Sequence, residues 1–165
     1  MTETNALSWR TLPASFRSLG RWLTIVQVIG YTSSLAYVWQ TTRLLPAGIA
    51  GHYRGLESAE GAMEFPKSLS EMLTITHTHL LGMAAIFALS GASLALCEGV
   101  SERWRTRLIV EPFIALLVSV TSIWLMRYVD PHFAWLLEAS SSLMALTFYA
   151  QSFLVLRELA RSSRG

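Results

Sequence analysis

The sequence predicts an all-α fold, an integral membrane four-helix antiparallel bundle with both termini on the inner side, and three observations lead there. Hydrophobic side chains make up 52% of the 165 residues, only 15% are charged, and the mean hydropathy is positive at +0.41. A soluble domain of this size would lack the charged surface to cover so much apolar material. The excess sits in four apolar stretches of about 18–25 residues, each long enough to cross roughly 30 Å of hydrocarbon. The third observation is charge placement, because the arginines gather at the ends of those stretches. The four segments use most of the chain, so residues 1–165 form a single transmembrane domain.

The first helix is predicted over residues 21–42, with Trp22 and Trp39 at the two headgroup levels where aromatic side chains collect. It is taken as a retained helix rather than a cleaved signal. A polar connection, residues 43–67, follows and is the only long loop, a length that often marks function or packing on the protein itself. Ser68-Leu69-Ser70-Glu71 then reads as a capping box that starts the second helix, over residues 69–97. Pro66 supports that boundary by disfavouring helix in the residue before it. Small residues at Ala84, Ala88 and Ala92, with Gly91 and Ala95 on a neighbouring ridge, suit close helix approach in lipid. The third helix is predicted over residues 108–128, with Pro112 in its first turns. Asp130-Pro131 is a turn signal, and the fourth helix runs over residues 132–156.

Of the 13 basic residues, Arg10, Arg17, Arg21, Arg103, Arg105, Arg107, Arg157, Arg161 and Arg164 fall on one side. Arg43, Arg54, Lys67 and Arg127 fall on the other. The positive-inside rule puts the first group in the cytoplasm and the long loop outside, periplasmic for a bacterial inner membrane. A net charge of +2 without a basic run excludes a nucleic-acid surface, and the lone Cys97 excludes an internal disulfide and a CxxCH haem attachment. No phosphate loop, GxSxG elbow or HExxH is present, so no reaction can be named and enzymatic activity is left open.

Chemistry concentrates at the outer boundary, where ionisable groups in a membrane ask for a reason. All four histidines lie there: His52 in the loop, His77 and His79 in the second helix, and His132 at the start of the fourth. Arg54, Arg127, Asp130 and Glu138 share that side. The leading expectation is a b-type haem, ligated by His79 or His77 and by His132 or His52, with Arg127 and Arg54 pairing the propionates. His77 and His79 are about 200° apart around a helix and cannot face one pocket. Gly82 would let a macrocycle approach the second helix. Electrons would then pass between a quinone or neighbouring subunit and a periplasmic redox protein. A second use of the same groups is a quinone or proton site built on Glu138 near His79 and Arg127. A metal held by His79 and His132 ranks below both, for want of an HxxxH or ExxH pair. Against these stands pairing of Glu138 with Arg127, the cheapest way to keep either charge at that depth. The non-catalytic alternative is a cofactor-free structural or assembly subunit of a larger membrane complex, or a homodimer joined through the small-residue ridges.

Overall fold

The computed structural model describes residues 7–57 and 63–162. It contains five helices and one minimal strand pair: α1 (Ala14–Thr42), α2 (Pro46–Arg54), β1 (Leu56–Glu57), β2 (Met63–Glu64), α3 (Leu69–Ala95), α4 (Glu102–Tyr128) and α5 (Phe133–Ser162). Residues 58–62 of the outer loop, and Arg164 of the basic tail, lie outside the described residues.

Three of these helices, α3, α4 and α5, are long and apolar enough to cross a membrane. Their surfaces carry large apolar side chains open to the surroundings, among them Leu81, Leu89, Ile114, Leu117, Leu146 and Phe153. A helix that is apolar outside as well as inside belongs in lipid. The first predicted span differs. At 29 residues α1 has the length, but Gln27, Thr32, Ser33 and Ser34 interrupt its apolar run, and it is not among the three.

The core is three layers stacked along the bundle axis. Met72, Ile123, Met126 and Leu137 fill the outer layer under Ile49 of α2. Tyr31, Phe87, Leu116 and Phe148 fill the middle. Trp9, Leu94, Val155 and Leu159 fill the inner one. Polar ties cross between helices: Ser119 Oγ lies 2.8 Å from Ser140 Oγ, and Trp124 Nε1 donates to Thr76 Oγ1 at 2.8 Å. In lipid, where burying apolar surface gives helices no reason to associate, such packing and hydrogen bonding hold the bundle.

The capping box forms as predicted, with the Glu71 amide donating to Ser68 Oγ (3.3 Å) and the Ser68 amide to Glu71 Oε2 (2.7 Å). Other expectations are corrected. The fourth helix extends to Ser162, so Arg157 and Arg161 of the basic tail are helical. The small-residue ridge of α3 is not the buried one: Ala88, Ala92 and Ala95 are exposed, while Phe87, Ser90, Gly91 and Leu94 face the bundle. Of the small residues, Ala84 packs partly on the middle core layer and Gly91 faces Ile109 of α4, which stands 3.3 Å from where a Cβ would lie.

Pro112 is not in the first turns of its helix, since α4 begins at Glu102 and makes it an interior residue. An interior proline has no N–H to offer the carbonyl four residues back, here Leu108. Gln151 of α5 repairs the gap. Its Nε2 donates to Leu108 O at 2.6 Å, and its Oε1 accepts from Ser90 Oγ of α3 at 2.6 Å, so one fully buried amide joins three helices.

In its described part the long outer connection forms a short helix and a strand pair. After α1 the chain turns sharply at Arg43 and Leu44, both in the left-handed region (φ 57° and 53°), and α2 starts with Pro46. Gly48 lets α2 press against the end of α1, because a Cβ there would lie 3.0 Å from the Thr42 carbonyl carbon and nearer still to its oxygen. Backbone cannot give way as a side-chain tip can. Gly48→Ala is expected to cost about 1–3 kcal/mol of overpacking strain, read as a lower thermal midpoint in detergent. An unchanged midpoint would show that the corner yields freely.

Candidate functional site

A cavity of about 1540 Å³ opens where α1 leans away from α3. Its cause is the packing order: α1 rests on α5 through Tyr31 stacked on Phe148 (ring centroids 4.4 Å apart) and a Thr32–Tyr149 hydroxyl bond of 2.8 Å. It touches α3 sparsely, with Gln27 Nε2 donating to Ile86 O at 3.3 Å near the inner end of the gap. The gap follows α3 from Ser70 to Ile86, about 24 Å by helical rise.

The lining changes character along that length. At the outer end stand Lys67, Ser70, Glu71 and Thr74, with His52 and Tyr53 contributed by α2. His79 and Glu138 follow. Deeper walls are more apolar, including Met83, Val120, Met144 and Ala145, although Gln27, Tyr31 and Tyr149 bring polar groups there and Ser119, Ser141 and Ser142 also line the cavity. Thr74, the threonine of α3 in this wall, is turned to its own backbone, donating to Ser70 O at 2.9 Å.

His79 is anchored by its Nδ1, 2.9 Å from Ile75 O. That contact makes Nδ1 the protonated nitrogen and leaves the Nε2 lone pair for a ligand. Glu138 is half-buried, and its Oε2 is buried without a hydrogen-bond partner. A buried acceptor left unpaired is costly, so it marks a place where a donor is wanted.

The remaining candidates are dispersed. His77 is exposed on a different face of α3 and does not line the cavity. His132 is also exposed, at the α4–α5 turn, with Nδ1 2.7 Å from Asp130 Oδ1. The His132 amide donates to the same oxygen at 2.7 Å, and these bonds hold the Asp130 carboxyl below the usual carboxylate range. This is a local turn, and His132 does not line the cavity that His79 lines. Among the described residues, no three His, Cys, Asp or Glu side chains form a metal-holding group.

The Arg127–Glu138 pair does not form. Arg127 Nε donates to Lys67 O at 2.9 Å, and its guanidinium lies 4.9 Å from the Tyr128 ring centre. Arg54 donates to Met126 O at 2.9 Å. Both arginines therefore fasten the outer loop to the end of α4, satisfying a carbonyl rather than a carboxylate. Lys67, 3.7 Å from Glu71, is the cation that lines the cavity.

Three of the four sequence-predicted spans agree with the membrane-competent helices, and the chain matches a family model described as a transmembrane helical domain over residues 43–165. The chain belongs to this family, Aq_1264_TM. The matched region takes in α2 to α5 and therefore most of the cavity wall, whereas α1 precedes it. No curated protein and no solved structure matches the chain.

Sequence reasoning missed a second polar centre at the opposite end. Glu158 is buried, with Arg10 Nε 3.5 Å from its Oε1, and Arg10 also lies 3.6 Å from Glu98. Trp9 closes this end by donating from Nε1 to Ser93 O (2.9 Å), and burial pushes the nearby Cys97 thiol up to about 11. The signal available was Glu158 itself, an acidic residue inside a basic tail.

Proposed function

We propose that this membrane protein is a quinone-binding subunit, with the quinone head held between His79 and Glu138 and its isoprenoid tail lying along the deeper cavity. The observation that carries this is the lining, which holds its charged groups at the outer end and is more apolar below, with an unpartnered carboxyl oxygen of Glu138 and an anchored imidazole in the outer half. A quinol hydroxyl would donate to Glu138 or to His79 Nε2, and these groups would exchange its protons. The electrons would go to a redox centre on a neighbouring subunit or a periplasmic protein. Polar residues at membrane depth serve such proton exchange elsewhere.

In this proposal α1 is a fourth span and both termini are cytoplasmic. Supporting it, α1 at 29 residues is about 43 Å long by helical rise. Within it Arg21 bonds Leu159 O (3.3 Å) near the arginine-rich end, and the helix finishes at the α2 corner on the other side. Nine of the 13 basic residues fall on the side of the termini.

A b-type haem is the second proposal, favoured by His52 and His79 lining one cavity. Iron would then take the free His79 Nε2, with Lys67 replacing the arginines beside a propionate. One preparation separates the two. Protein purified gently from native membranes is extracted for quinone, and its dithionite-reduced minus oxidised spectrum is recorded. Stoichiometric quinone without a b-type band is the expected result. A b-type band at about one haem per chain, without quinone, favours the haem. Neither chromophore, in protein kept with its native lipids and partners, would leave the cofactor-free subunit.

A further inference from the structure

Most hydroxyl protons in the walls of the cavity are already spent. On α1 they turn back on their own helix: Ser33 donates to Ile29 O (2.9 Å), Ser34 to Gly30 O (3.1 Å) and Thr42 to Val38 O (2.8 Å). Thr74 of α3 does the same. Tyr149 is committed too. Thr32 Oγ1 gives its one proton to Val28 O (2.7 Å), so in the 2.8 Å contact between them the Tyr149 phenol is the donor. Ser119 is committed likewise, because Ser140 Oγ gives its own proton to Leu137 O (3.1 Å) and can only accept from Ser119. A hydroxyl whose proton is spent still offers lone pairs, so these walls present mostly acceptors.

The two groups at the quinone head add two more. His79 Nδ1 must carry the proton that Ile75 O receives, which leaves Nε2 of the neutral imidazole an acceptor. Of the two Glu138 oxygens only Oε2 is enclosed, so Oε1 is the one that a ligand in the cavity meets. Lys67, the cation lining the cavity, lies against Glu71 (3.7 Å).

We infer that the cavity selects the reduced form of its ligand, a quinol over the corresponding quinone; this rests on the quinone reading above. A quinol brings two hydroxyl donors to two waiting acceptors. A quinone brings two carbonyls, which only accept. It would face His79 Nε2 lone pair to lone pair, and Glu138 would have to be protonated to meet it. That mismatch sets a preference of roughly tenfold. Ser142, one turn from Glu138, keeps a rotatable proton for a carbonyl, which holds the preference to that order. A site that takes the reduced form belongs downstream of a reaction that reduces quinone.

The test compares three short-tailed ligands on the full chain in nanodiscs, anaerobically and at about pH 8, where an ordinary imidazole is neutral. They are a quinone, its quinol, and the dimethyl ether of that quinol, which keeps the ring but has no donor. The quinol should bind roughly tenfold tighter than either of the others, which raises the two-electron midpoint of the bound couple by about 30 mV. Glu138→Gln, whose amide donates as well as accepts, should lower the quinol-to-quinone ratio. Quinone or ether binding as tightly as quinol would overturn the inference and leave the quinone site standing. An unchanged ratio in Glu138→Gln would also overturn it. Binding of none of the three would overturn the quinone reading itself, and the selection with it.

Discussion

Replacing Gln151 with leucine should lower the thermal midpoint of the detergent-purified protein more than any other single change named here. Leucine fills the space but leaves Leu108 O, already deprived of a helical donor by Pro112, with nothing to accept from. It also removes the shorter of the two acceptors of Ser90 Oγ, leaving Phe87 O at 3.3 Å. A buried polar group stripped of its partner costs about 1–3 kcal/mol, and the change brings no compensating burial, since lipid is as apolar as leucine. The mechanism has its own control. In a Pro112→Ala background the restored N–H at 112 serves Leu108 O, so Gln151→Leu should then cost distinctly less. A double-mutant cycle measures the difference as a coupling of about 1 kcal/mol. Additive effects of the two changes would mean that the glutamine does not stand in for the missing amide.

The second large effect is expected at the cavity. His79→Ala removes the only imidazole of α3 that lines it, and Glu138→Gln removes the charge of the unpartnered acceptor. Hydrogen bonds involving a charged group are worth about 1.5–3 kcal/mol, so each variant should weaken quinone binding by roughly 10- to 100-fold in a fluorescence titration. His77→Ala and His132→Ala are the matched controls. Both residues are exposed and outside the cavity, and both variants should bind as the parent does. Equal losses in all four would point to general destabilisation. Loss at His77 or His132 alone would put the ligand elsewhere.

Apolar run length and the Ser68–Glu71 box were legible because both depend on residues close in the chain. The face separation of His77 and His79 was legible for the same reason, as a consequence of helical pitch. What lay hidden depends on neighbours far apart. Gln151 and Pro112 are unremarkable singly and gain meaning only when α4 and α5 are set side by side. Likewise Arg127 was expected to meet Glu138, the opposite charge at its depth. The folded outer loop instead offers the Lys67 carbonyl, and Glu138 turns to the cavity. Depth along an axis can be read from sequence; the direction a residue faces around it needs the packed bundle. The outer loop shows the same limit, since α2 is too short and too mixed in composition to announce itself without the layer of Met72, Ile123 and Met126 beneath it.

The most direct measurement is photolabelling of the membrane-embedded protein with an azido-quinone, followed by peptide mapping. Labels should fall on α1 between Gln27 and Thr42 and on α3 between Thr74 and Ile86, the two walls of the cavity, and excess unlabelled quinone should suppress them. Labelling confined to other surfaces, or labelling on these walls that unlabelled quinone does not suppress, would contradict a quinone site between α1 and α3.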